Sequence, residues 1–135
     1  MILGTKARYA VMAVVELAGR TDGCPVSLSE LAKEQEITVP YLEQLFSKLR
    51  VAGIVRSVRG PGGGYILNKN AKDICISEIV EAVDESLKMT RCGAEEKSGC
   101  MASKTRCLTH NLWAGLEKKI HGYLQDITLA DVLKR

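Results

Sequence analysis

The chain has 135 residues, 46% of them hydrophobic but only 4% aromatic, with a formal net charge of +3. That length suits one ordinary domain, or a small domain with a helical extension, around an aliphatic core. No run approaches the roughly 20 apolar residues of a membrane span. The apolar N-terminal stretch is bracketed by Arg8 and Glu16, with no small-residue cleavage site after it, and predicts a buried first helix in a cytoplasmic protein.

Taken in order, residues 5–19 predict a helix whose apolar surface comes from Tyr9, Val11, Met12, Val15 and Leu17, broken by Thr21-Asp22-Gly23-Cys24-Pro25. Ser27 with Glu30 has the spacing of a capping box and opens a short helix through Leu28, Leu31 and Ala32. Glu36-Ile37-Thr38 makes a turn, and a second helix runs from about Val39 to Ala52 and ends at Gly53. The periodicity then becomes strand-like over 54–59, reverses through Gly60-Pro61-Gly62-Gly63-Gly64, and returns through Tyr65-Ile66-Leu67.

Two helices followed by a Gly-rich hairpin is the element order of a winged helix. Ser77 is placed to cap a helix carrying Ile79, Val80, Val83 and Leu87, and the irregular stretch 89–108 follows. A loop of about twenty residues inside a compact domain implies a function. Thr109 opens an amphipathic helix bearing Leu112, Trp113, Leu116, Ile120 and Leu124, and Thr128 caps a last turn through Leu129, Val132 and Leu133. The expected fold is mainly α with a small β-wing. A winged helix-turn-helix spans 1–76, a connecting helix 77–88, a loop 89–108, and a long helix with a C-terminal turn 109–135.

Charge is segregated along the chain. From Gln44 to Lys72 there is no acid, while Lys48, Arg50, Arg56, Arg59, Lys69 and Lys72 are basic; Asp73 to Glu85 then carries only acids. Such a pattern points to one face built for a polyanion such as double-stranded DNA, a solvated basic surface being the other reading. In the second helix Leu42, Leu45, Phe46 and Leu49 share one face and must pack inward. Pro40, Gln44 and Ser47 then lie opposite, with Tyr41, Glu43 and Lys48 on the flanks, a repertoire suited to base edges in a major groove. Gln44 has the groups to bond adenine, and Glu43 to accept from a cytosine amino group or to exclude wrong sequences; a plain solvated residue is the other reading of Glu43. Arg59 and Gly60 stand at the hairpin tip, where an Arg suits a narrow minor groove and glycine lets the backbone approach, with Arg56 beside them. Lys48, Arg50 and Lys69 suit phosphate contacts.

Five cysteines without an export signal argue against a disulfide framework. Cys24 and Cys75 are expected to be buried structural thiols. Cys92, Cys100, Cys107 and His110 are separated by seven, six and two residues, and Arg91, Lys97, Lys104 and Arg106 lie among them. All four are competent soft or borderline ligands, and the basic neighbours favour thiolates. Structural zinc usually shows closer paired cysteines, while a thiol switch leaves the His unexplained; spacing alone keeps an iron–sulfur cluster and these alternatives open. No nucleophile–base pair appears, and Gly60 to Gly64 lacks the Lys and Ser/Thr of a phosphate loop, so no enzyme is expected.

Four stretches, Tyr41 to Arg50, Ser57 to Tyr65, Ala82 to Ser86 and Cys107 to His110, together resemble the bacterial regulators of iron–sulfur cluster assembly, a family of small dimeric winged-helix proteins. The resemblance covers nearly the whole chain. It implies a homodimeric repressor and activator that binds palindromic DNA, acting mainly as a repressor of cluster-biogenesis genes. It also implies a [2Fe–2S] cluster held by Cys92, Cys100, Cys107 and His110 and received from the iron–sulfur assembly machinery. By the same resemblance the helix from Thr109 forms the dimer interface through Leu112, Leu116, Ile120 and Leu124, and Glu43 discriminates two classes of site. The chain departs from the pattern in three respects: its first two cysteine intervals exceed five residues, Pro40 replaces a serine, and it stops at Arg135 without a longer polar tail. The related nitric oxide sensors use an acidic ligand near position 8, where Arg8 stands here. A nitric oxide-responsive repressor or a metal-free thiol sensor of the same fold is the alternative.

Overall fold

The computed structural model describes residues 4–20, 23–83 and 108–134. It is mainly helical: α1 (Thr5–Ala18), α2 (Leu28–Gln35), α3 (Val39–Val51), strands β1 (Val55–Val58) and β2 (Gly64–Leu67), a 3-10 turn over Ala71–Asp73, α4 (Ile76–Ala82), α5 (His110–Asp126) and α6 (Leu129–Leu133). The expected mainly α fold with a small β-wing is what forms. Leu87 and the cysteines at 92, 100 and 107 lie outside the described residues.

α1 buries Ala7, Ala10, Ala13, Val14 and Leu17, whereas Met12 is 41% exposed and Tyr9, Val11 and Val15 only flank the core. The expectation had favoured the larger side chains. A central helix approached from several sides instead places its small residues inward, because alanines let neighbouring backbones come close. α2 is held at its start by Ser27, whose Oγ accepts from the Glu30 N–H at 3.2 Å. The reciprocal half of a capping box is not formed here, since the Glu30 carboxylate accepts from Arg20 at 2.9 Å. Arg20 also binds Glu34 at 2.8 Å and so ties the end of α1 to α2. Glu16 lies against Glu34; their hydrogen bond raises the first carboxyl above its ordinary value and, with Arg20, lowers the second.

The turn into α3 passes through Glu36, a non-glycine residue at φ 55°. Thr38 Oγ1 then caps α3 by accepting from the Tyr41 N–H at 3.4 Å. β1 and β2 pair antiparallel, with Val55 opposite Leu67 and Val58 opposite Gly64. The wing has a neighbour that periodicity did not reveal: Val26 bridges Tyr65 through two backbone bonds of 3.0 and 2.9 Å. That approach explains Gly64, where an added Cβ would stand 2.3 Å from the Val26 carbonyl oxygen.

A second bridge joins Cys75 to Thr128, with Ile76 N–H donating to Ile127 O at 2.9 Å and Leu129 N–H to Ile74 O at 3.0 Å. The extended pairing ends at Cys75, so α4 starts one residue later. Cys75, not Ser77, occupies the cap position, and Ser77 is buried within the helix. Cys75 is half-buried, its Sγ 3.2 Å from Ser77 Oγ and 3.4 Å from Glu78 Oε1. Cys24 is exposed, contrary to expectation: Gly23 at φ 71° turns the chain outward before Pro25. Thr128 and Asp131 form a complete capping box at α6, and Leu129 is fully buried in the same cluster as Val14, Leu31, Phe46 and Ile79.

Candidate functional site

α3 is built as a two-faced rod. Leu42, Leu45, Phe46 and Leu49 are buried, while Pro40, Glu43, Gln44, Ser47 and Arg50 are exposed at helical spacing. Two aromatic contacts fix how the rod lies. Phe46 meets Tyr65 of β2 with ring centroids 5.0 Å apart, and Tyr41 meets Tyr9 of α1 edge to face at 5.9 Å. Tyr41 is therefore half-buried, and one face of its ring serves the scaffold. Lys48 is half-buried on the flank.

Beside this rod the wing turns through Arg59 to Gly63, closed by a bond from Gly63 N–H to Gly60 O at 2.9 Å, with Gly60 at φ 103° and Gly62 at φ 73°. Arg56, Arg59 and Gly60 are exposed. Asn68 braces the wing at its base, donating from Nδ2 to Gly53 O and from its N–H to Ile54 O, both at 3.0 Å. Among the described residues no carboxylate pairs with Arg50, Arg56 or Arg59, so their charge is open to solvent. Lys69 differs, for it binds Glu78 at 3.4 Å. Helix and wing thus present short polar groups, an amide, a carboxylate and uncompensated guanidinium groups on neighbouring projections, the chemistry of base and phosphate contact.

The other cluster centres on His110, the first residue of α5. Its side chain is 3% exposed, and Nδ1 finds no hydrogen-bond partner among the described residues. A buried polar atom left unpaired costs about 1–3 kcal/mol, so such a nitrogen calls for an explanation. Thr109, at the helix start, does not cap with its side chain; its Oγ1 accepts from Trp113 Nε1 at 3.0 Å across the His110 turn. Along the rest of α5 Leu112 is 61% and Tyr123 59% exposed, Leu116 and Ile120 are half-buried, and Leu124 packs against the core. Gly115 and Gly122 open a depression of about 750 Å³ on this side, rimmed by Lys118, Lys119, Tyr123 and Asp126. Tyr123 escaped the sequence reading, although it stands three residues after Ile120 and seven after Leu116 and so continues their stripe.

The whole stretch 3–135 matches the family model Rrf2, described as an iron-dependent transcriptional regulator. The chain belongs to the Rrf2 family. It is 48% identical over 133 residues to the HTH-type transcriptional regulator IscR of Serratia proteamaculans, covering 98% of this chain and 79% of that one. Among solved structures, IscR of T. potens superposes with a TM-score of 0.79 at 38% identity, covering 99% of this chain and 87% of that one. CymR of B. subtilis, the global cysteine regulator, gives 0.79 at 29% identity, with 98% and 95% covered. As an Rrf2 protein the chain is a winged-helix transcriptional regulator and not an enzyme. Among the described residues no helix is long and apolar enough to cross a membrane.

Proposed function

We propose that this Rrf2 protein is a cytoplasmic, iron–sulfur-responsive regulator, mainly a repressor of cluster-biogenesis genes, that reads palindromic double-stranded DNA as a homodimer. In this reading Cys92, Cys100, Cys107 and His110 hold a [2Fe–2S] cluster delivered by the assembly machinery. The observation that carries it is the buried Nδ1 of His110, which has no hydrogen-bond partner among the described residues and stands three residues beyond Cys107. The fit is chemical: a neutral imidazole nitrogen with no competing donor is a competent iron ligand, and three thiolates complete four positions.

Bound there, the cluster supplies an iron centre sensitive to iron supply and oxidants. The protein's own residues do the remainder. His110 must offer an unprotonated nitrogen, so its ligation competes with protons, whereas thiolates impose a different pH dependence. Trp113, held to Thr109, fixes the turn that carries His110. Gln44 and Glu43 read base edges from α3, Pro40, Tyr41 and Ser47 shape its approach, Lys48 and Arg50 take phosphates, and Arg56, Arg59 and Gly60 engage the neighbouring groove from the wing. The apolar residues Leu112, Leu116 and Ile120 of α5, joined by Tyr123 and ending at Leu124, supply the face for a second copy.

The test is anaerobic purification with visible spectroscopy and analysis of iron and sulfide. Two iron and two sulfide per chain, lost or altered in His110→Ala, supports the reading; a colourless protein holding one zinc and no sulfide defeats it. The rival is a thiol sensor without metal, built on the same three cysteines. In that case His110→Ala leaves DNA binding unchanged and a reversible disulfide among Cys92, Cys100 and Cys107 controls it.

A further inference from the structure

α4 and α5 run antiparallel. Ile76, at the start of α4, donates to Ile127 just beyond α5, and five residues further along α4 the Glu81 Oε1 lies 2.9 Å from His121 Nε2. Glu81 stands in the last turn of α4, which ends at Ala82. From His121 the helix continues to buried His110 over eleven residues, about 16 Å at 1.5 Å per residue. On its other side α4 is anchored in the core, where Ile79, Val80 and Val83 are fully buried in one cluster with Leu45 and Leu49 of α3.

We infer that Glu81 and His121 form a strut that carries the position of α5 to the DNA-reading elements, which rests on α3 being the reading helix. Half-buried Leu124 of α5 packs against the same core, and apolar packing alone sets register loosely. A directional hydrogen bond at the end of α4 fixes the register of α5 against a helix whose buried face shares the core cluster with α3. The carboxylate can only accept, so the imidazole Nε2–H is the donor of this bond. Both side chains are largely solvent-accessible, and such pairs contribute little to stability. The strut's effect is geometric, which separates coupling from folding.

Coupling is reciprocal: if α5 influences DNA affinity, DNA must influence α5. The experiment is amide hydrogen exchange over residues 110–121 of the full chain, with and without a duplex that the wild-type protein selects from a randomised pool. It compares the wild type with Glu81→Ala, His121→Ala and Glu81→Gln, alongside melting curves and a mobility shift for each. In the wild type the duplex slows exchange across this half of α5. In Glu81→Ala and His121→Ala that response shrinks about two- to five-fold, the range an exposed pair supports, while melting and duplex binding stay near wild type. Glu81→Gln keeps an acceptor and keeps the response. If both alanine variants respond like the wild type, or the wild type shows no response, the strut is overturned and the reading helix stands. If the wild type binds no duplex, the reading helix falls and the strut with it.

Discussion

α3 and α5 are both amphipathic helices, yet they use their apolar faces differently. α3 buries all four of its apolar anchors, while α5 fully buries only His110 and leaves Leu112 and Tyr123 more than half exposed. A helix whose apolar stripe is spent on its own core offers mainly polar groups, Val51 at its end apart, and that suits nucleic acid. A helix whose stripe stays half open is complete only against another apolar surface. The same amphipathic pattern thus yields a polar outer face or a half-open apolar one according to how many sides the core covers.

The contrast can be broken most directly by truncation. Phe46→Ala, which empties the centre of the core beside Tyr65, should cost about 3–5 kcal/mol in urea unfolding. Leu112→Ala should leave dilute-chain unfolding within about 0.5 kcal/mol and weaken self-association, read by sedimentation equilibrium, by about 1–2 kcal/mol. Equal losses of folding stability in both would erase the distinction. Next in size is Gly64→Ala, whose Cβ meets the Val26 backbone; a loss of about 1–3 kcal/mol is expected, with the wing's amide signals shifting most in NMR.

On the polar side of α3, Gln44→Ala should narrow the preference for its base pair by about 1–3 kcal/mol. Arg59→Gln should instead weaken all duplexes alike and reduce the salt dependence of binding by about one unit of slope. Titrated mobility shifts at several salt concentrations separate the two. The smallest effect is expected at Glu36: Glu36→Gly relieves a left-handed backbone but frees the unfolded chain, for a net gain of about 0.5 kcal/mol in thermal unfolding.

Helix α3 and its inward face were legible in the sequence because one physical signal, a 3.6-residue apolar period, governs them, and Gly60 to Gly64 marks a turn that few other residues can make. α1 was read less well: its inward face is set by close packing around alanines, which hydrophobicity ranks below Met12. Single-residue pairings such as Val26 with Tyr65 and Cys75 with Thr128 leave no period at all, so both bridges and the cap of α4 went unforeseen. Cys24 shows that a residue type's usual burial yields to a turn at Gly23. Of the candidate ligand set, His110 is the member among the described residues, and its unpaired nitrogen is a signal that only coordinates can supply.

The return of the chain to its core at Leu129 also orders events during synthesis. The cluster that holds Phe46 and orients α3 is closed by Leu129 and by its bond to Ile74. While the ribosome is still adding residues before 129, the first four helices lack that plug. The stretch bearing Cys92, Cys100 and Cys107 has by then already been made. Each new molecule therefore possesses its candidate ligands before it possesses a finished surface for reading DNA.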